Sequence, residues 1–243
     1  MSTGDIYPTG PGGGPYAAGG DREATFGDLA RVLTAPADVM ARVARQRKVV
    51  LGLAVVALLA GIGLISSLIG IATGAARNAL DSPQLRQLPP ETRQFAENIG
   101  AVSSPIGAVL GPFILWLLIS GLVYLAARVF GGRGPFAAML AVAGVALMPM
   151  VLSSLVGLLL SALGALVGAN AGVAALLGLV NFVVSLIALV GVFALVIIGT
   201  RFAQGLTYGQ SGGACALSCG GCVGLVLLLF IVLVALVGGL AAA

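Results

Sequence analysis

Charge in this chain is confined to a few short stretches, and that confinement limits the possible folds more than any motif does. No Asp, Glu, Lys or Arg falls within 49–76, 98–127, 134–200 or 202–243. A helix needs about 20 apolar residues to cross the ~30 Å hydrocarbon layer of a bilayer, and each of the four blocks supplies that many. Charged residues make up only 8% of the chain, against roughly 25% in soluble domains. So few charges cannot keep a soluble surface wet. The sequence therefore predicts an all-α, polytopic integral membrane protein.

The blocks also set the number of spans. The first predicts a helix over about 49–73, the second over 106–130 and the fourth over 217–240. The third is long enough for two, and its weakest helical stretch is 164–172, where Gly164, Gly168, Gly172 and Asn170 cluster. That break gives spans at 136–163 and 173–200. Pro149 falls inside the first of these and is read as a kink, because membrane helices tolerate a lone proline. Its missing N–H frees a carbonyl near Val145, which Ser153 or a neighbouring helix can help satisfy. Cytoplasmic loops collect Lys and Arg. Five helices with an inside N-terminus place Arg22, Arg31, Arg42, Arg45, Arg47, Lys48, Arg128, Arg133 and Arg201 inside. The outer loop 74–105 then holds only Arg77, Arg86 and Arg93, balanced by Asp81, Glu91 and Glu97. A sixth helix would carry Arg201 outside. The expected topology is five transmembrane helices, N-in and C-out.

Three segments follow: a tail at 1–24, interface helices at 25–48 and the membrane domain at 49–243. The tail is rich in Gly and Pro, has no signal-peptide pattern, and cannot bury enough apolar surface to offset its ordering entropy, so it reads as disordered. Thr25 with Asp28 three residues on is a capping-box variant, followed by Phe26, Leu29, Ala30 and Leu33 at helical spacing. Pro36 starts a second short helix. There Val39, Met40 and Val43 share one face and Arg42 and Arg45 the other. Such a helix suits the surface of an anionic leaflet; the alternative is packing on the inner end of the membrane domain. The basic cluster Arg42, Arg45, Arg47 and Lys48 is equally open to two readings, a topology determinant or a dock for anionic lipid or an acidic partner. In the outer loop, Pro89-Pro90 begins a short helix to about Ile99.

Composition excludes several chemistries. The chain has no histidine, so Ser–His and Cys–His nucleophile pairs and histidine metal sites are absent. Gly209-Gln210-Ser211-Gly212-Gly213 fits the nucleophile elbow and the serine motif of intramembrane rhomboid proteases, but lacks the strand or the histidine base these need. It reads as a glycine-rich loop between helices. Cys215, Cys219 and Cys222 have the C-x-x-x-C-x-x-C spacing of radical-SAM iron–sulfur sites, without a barrel pattern or a fourth thiolate. On a helix they share a face, and they are open to packing, S-acylation or weak metal binding. No catalytic, cofactor or metal site is predicted. The net charge of +4 is explained by topology, and no nucleic-acid partner is expected. Small residues repeat four apart in Gly107/Gly111, Gly157/Ser161, Gly164/Gly168 and Gly220/Gly224, which favours close helix packing. The polar residues within spans are Ser66, Ser67, Ser120, Ser153, Ser154, Asn181 and Ser185. Serines commonly bond their own helix, so Asn181 is the candidate inter-helix contact. No ionisable group lies deep in a span, which argues against charge-coupled transport.

One segment is recognisable. The run Gly131-Gly132-Arg133-Gly134-Pro135-Phe136, with Leu140-Ala141-Val142-Ala143-Gly144-Val145-Ala146-Leu147-Met148-Pro149, resembles the middle of the Yip domain. That is a family of Rab-interacting five-helix membrane proteins with bacterial members. In outline the likeness extends over residues 25–240. Eukaryotic relatives carry a Tyr-Gly-Pro motif before helix one; this chain does not, and its Ala/Gly/Leu/Val-heavy composition looks bacterial, which points to a bacterial cytoplasmic membrane. The resemblance implies a non-enzymatic scaffold or adaptor without catalytic residues or cofactors, acting in the lipid bilayer through helix–helix contacts with itself or other integral membrane proteins. An accessory subunit of a MacB-type ABC exporter is the first alternative, and a lipid-handling or pore-forming protein the second.

Overall fold

Long apolar runs without charge give long helices here, and the breaks fall where glycine or proline removes a hydrogen bond. The computed structural model describes residues 23–73, 90–167 and 171–221, helical almost throughout and without a strand among them. The elements are α1 (Gly27–Arg31), α2 (Pro36–Gln46), α3 (Val49–Ala72), α4 (Pro90–Val129), α5 (Phe136–Ala146), α6 (Met148–Val167), α7 (Ala171–Gln204) and α8 over 208–221. Among the described residues, four stretches are long and apolar enough to cross a membrane: Val49–Ala72, Ser103–Val129, Phe136–Gly164 and Gly172–Gln204. The expected fifth span begins within α8 and lies mostly outside the described residues. Residues 1–22 of the expected tail and 74–89 of the expected outer loop also lie outside them.

By contacts the chain divides into two units. Unit 1 takes the described parts of Met1–Val49, Leu118–Ala143 and Phe193–Ala243; unit 2 takes those of Val50–Leu117 and Gly144–Val192.

In unit 1, Pro36 opens α2 at its first turn, where its missing N–H has no intrahelical partner to lose. The apolar face of α2 turns into protein: Val39, Met40, Val43 and Ala44 are buried. Val123, Met139, Val142 and Thr200 of the same unit are likewise at most 2% exposed, and Met40 and Val142 both close on Gly199. Gly199 makes room for this. A Cβ there would collide with the Val142 side chain and sit 3.4 Å from the Met40 sulfur. The expected apolar stripe of α1 is arranged differently, since Phe26 and Leu33 are exposed whereas Asp28, Ala24 and Val32 are buried.

Unit 2 corrects the expected outer loop. The short helix starting at Pro90 and the second span are one continuous helix of 40 residues, with Pro105 and Pro112 inside it. A proline removes the N–H that would bond the carbonyl four residues back, so Pro112 releases the carbonyl of Ala108. Gly63 of α3 packs on that oxygen, where a Cβ would come within 3.2 Å. The third span is divided at Leu147, whose N–H bonds the Gly144 carbonyl at 3.1 Å in a tighter turn. Pro149 lies just beyond. Its ring abuts Gly191 of α7, where a Cβ would stand 3.3 Å from Pro149 Cγ. Ser153 bonds Ser185 across helices at 3.2 Å rather than reaching back to Val145. Gly144 and Gly52 bring the backbones of α5 and α3 together, for a Cβ on Gly144 would lie 2.7 Å from the Gly52 carbonyl carbon. In lipid, such close approach gains dispersion contact that no hydrophobic force supplies.

Candidate functional site

The recognisable Gly-Gly-Arg-Gly-Pro link is tightly constrained backbone in unit 1. At the end of α4, Gly131 adopts φ +87° and the Gly132 N–H reaches back to the Ala127 carbonyl at 2.9 Å. This is a Schellman termination, for which glycine is the natural residue. The end of α7 repeats it: Gly205 has φ +68° and the Leu206 N–H bonds the Arg201 carbonyl at 3.1 Å. One further bond ties the two ends, from the Arg133 N–H to the Gln204 carbonyl at 3.1 Å. A Cβ on Gly134 would land on the Ala203 carbonyl, and one on Gly132 would meet the Gln204 side chain at 3.1 Å. The link has to lack side chains at both positions.

Beside it lies a cavity of about 510 Å³, lined by Gly131, Arg133, Gly134 and Pro135 of the link, the end of α7, Arg47, Phe130, Leu206 and Gln210. Gln204 is 2% exposed, and among the described residues neither its amide nitrogen nor its amide oxygen has a hydrogen-bond partner. Leaving a buried polar group unsatisfied costs about 1–3 kcal/mol. No acidic side chain is among the lining residues. Arg47 closes α2 in the left-handed region at φ 50°. Among the described residues, neither the Arg47 nor the Arg133 guanidinium has a partner, and both are exposed.

Neighbouring cations are committed. Arg42 pairs with Asp28 at 2.9 Å, and Lys48 with Glu23 at 3.2 Å. Arg128 donates to the Tyr124 hydroxyl at 2.6 Å, and Arg201 stacks on the Tyr208 ring at 4.0 Å. Burial works to raise the Asp28 carboxyl, but the Thr25 N–H and the Arg42 and Arg31 charges outweigh it, so Asp28 titrates below the usual carboxylate value. Thr25 and Asp28 form half of the expected capping box: the carboxylate accepts the Thr25 N–H at 2.9 Å, while no side chain caps the first turn of α1.

Of the residues singled out by sequence, Gly131, Gly134 and Arg47 meet at the cavity, and Gly132 packs on the Gln204 side chain beside it. Arg42 and Lys48 lie in the carboxylate pairs, and Arg45 is exposed, bonded to the Ala41 carbonyl. Pro149 and Asn181 belong to unit 2, where the Asn181 amide oxygen fills the notch at Gly157, 2.9 Å from where a Cβ would be. Asn181 is joined as an inter-helix contact by two serine pairs, Ser67–Ser104 at 2.8 Å and Ser153–Ser185, which bridge helices; Ser161 bonds its own helix, at the Gly157 carbonyl. Of the small-residue repeats, Gly157 and Gly164 contact a neighbouring helix, whereas Gly107, Gly111 and Gly220 have no neighbour within 4 Å of a Cβ among the described residues.

The expected glycine-rich loop around Ser211 is instead the first turns of α8. A reciprocal capping box starts it. The Gln210 side chain accepts the Thr207 N–H at 3.0 Å, and the Thr207 hydroxyl accepts the Gln210 N–H at 3.3 Å. The Thr-x-x-Gln spacing was the signal for that start. Cys215 is buried and Cys219 exposed on α8; Cys222 lies outside the described residues. Among the described residues no three His, Cys, Asp or Glu side chains gather where they could hold a metal. Sequence reasoning missed Gln204, whose one signal is an uncharged polar residue between an apolar run and a helix-ending glycine.

No curated protein and no solved structure matches the chain. The sequence model of the Yip1 domain matches residues 30–231, an interval that takes in all four apolar spans, the glycine link and the cavity beside it. The chain is thus a multi-pass membrane protein and belongs to the Yip1 domain family.

Proposed function

We propose that this protein is a non-enzymatic membrane scaffold, binding other membrane proteins or further copies of itself through its helix faces. The use of polar groups inside unit 2 carries the reading. Ser67 with Ser104, Ser153 with Ser185, and Asn181 over Gly157 all hold helices together, so these groups do not line a polar route. The outward face of α7 is correspondingly apolar, with Leu176, Leu179, Phe182, Leu186, Ile187 and Val190 at least half exposed. Contiguous apolar surface of this kind packs against lipid or against partner proteins. The Yip1 domain match supports the reading, since the family's proteins are generally not enzymes.

A mild-detergent pull-down of the native protein with mass spectrometry tests it. Co-purifying integral membrane proteins are the expected result. Recovery of an ABC permease with its membrane-fusion partner would shift the role to an exporter subunit. Recovery of the protein alone, together with lipid transfer between liposomes, would overturn the scaffold.

A further inference from the structure

We infer that the cavity beside the Gly131–Pro135 link binds the phosphate of an anionic phospholipid headgroup, through Arg47, Arg133 and the Gln204 amide. Helix-face contacts play no part in this site, so it stands apart from the scaffold role. Three independent observations converge. The first is charge. Arg47 and Arg133 line the cavity without a partner among the described residues, whereas Arg42, Lys48, Arg128 and Arg201 nearby are paired or stacked. No carboxylate in the lining offsets the two guanidinium groups, and guanidinium is well suited to holding phosphate oxygens. The second is the orphaned amide. Gln204 is 2% exposed and lines the cavity with both polar atoms unsatisfied among the described residues; a bound headgroup offers the acceptor and donor it lacks.

The third is depth. The spans Val49–Ala72 and Phe136–Gly164 start, and Ser103–Val129 and Gly172–Gln204 end, within two residues of a lining residue. Span ends sit at headgroup level, which favours a lipid over a freely diffusing anion. The volume, about 510 Å³, falls in the ordinary range for small-molecule sites. Phe130, Pro135 and Leu206 give the same cavity an apolar side against which a glycerol backbone can rest.

The full chain in detergent micelles is titrated with phosphatidylglycerol or phosphatidylcholine and read by native mass spectrometry. A thermal-shift series with inorganic phosphate runs alongside. Phosphatidylglycerol should be retained at one per chain and phosphatidylcholine should not. Arg47→Gln with Arg133→Gln should weaken retention about tenfold, the scale of losing charge-assisted bonds. Arg45→Gln, an exposed cation outside the cavity, should leave it unchanged. Gln204→Leu keeps the side chain's size and removes the unsatisfied atoms. It should weaken retention while the melting temperature holds or rises, which separates ligand contact from a folding defect. Equal loss in Arg45→Gln would reveal a diffuse surface field and overturn the site. So would unchanged retention in the double variant or in Gln204→Leu. Stabilisation by inorganic phosphate that phosphatidylglycerol does not compete away would overturn the lipid as its source.

Discussion

Gly144 and Asp28 show how much of this fold rests on single positions. At Gly144 a side chain would meet the backbone of Gly52, which cannot rotate away as a flexible side-chain end can. Gly144→Ala should therefore cost about 1–3 kcal/mol or more, read as a lower melting temperature in detergent. Gly121→Ala is the control: a Cβ there meets nothing within 4 Å among the described residues, and alanine's better helix propensity should hold or raise the same melting temperature. Asp28 makes a pH-dependent contribution. Its folded pKa lies below the usual 3.8, so the carboxylate's contribution is fully present above about pH 4 and is lost as pH falls through the folded value. Asp28→Asn should be less stable than wild type at neutral pH, and the gap should narrow below about pH 4. A constant gap across that window would refute the assignment. Neither position stood out in the sequence for this reason. Gly144 was one of 37 glycines, and its partner Gly52 is distant in the chain. The Thr25–Asp28 spacing was readable, whereas the Arg42 contact that buries Asp28 depends on how α1 folds back on α2.

Helices were the most readable elements, because freedom from charge over 20 residues or more leaves little choice. Their ends were readable only where a local rule marks them. Gly131 marks the end of α4 by positive φ, one residue past the expected end at 130, whereas the end of α7 before Gly205 lies beyond the expected 200. Pro149, expected as a kink within one span, sits just past a division at Leu147. The continuity of α4 through Pro105 and Pro112 was not readable, because proline ordinarily argues for a break. In the structure a neighbouring helix meets the released Ala108 carbonyl at Gly63, a long-range contact that no local pattern encodes. The start of α8 was encoded, in Thr207 and Gln210, but the surrounding glycines outweighed it. Thr207→Ala should cost about 1 kcal/mol and speed amide exchange in residues 208–211 while leaving α7 protected. Uniform loss of protection in both helices would show that the cap instead supports the whole of unit 1.

For the protein overall, the class and family were legible because they rest on composition and on one short link. Orientation rests on the distribution of arginine. A reporter inserted at residue 85 should read as outside, and one placed after Gln46 as cytoplasmic; the reverse assignment would overturn the N-in topology. The cavity was not legible at all. Its lining comes from three separate stretches of chain, around 47, 130–135 and 203–210, and its most telling group, the Gln204 amide, is an ordinary side chain until its burial is known.

The hydrogen bond from the Arg133 N–H to the Gln204 carbonyl has a consequence for the surrounding membrane. Two helix ends terminated by glycine and bonded to each other are in fixed register, so α4 and α7 cannot slide past one another to suit a bilayer of different thickness. At 1.5 Å per residue, the 34 residues of α7 extend about 51 Å, well beyond a hydrocarbon core of about 30 Å. The surplus of both helices must be taken up at their opposite ends, by tilt or by local thickening of the lipid. Hydrophobic mismatch is thereby directed to one side of the membrane, and bilayer thickness becomes a variable to which this protein responds asymmetrically.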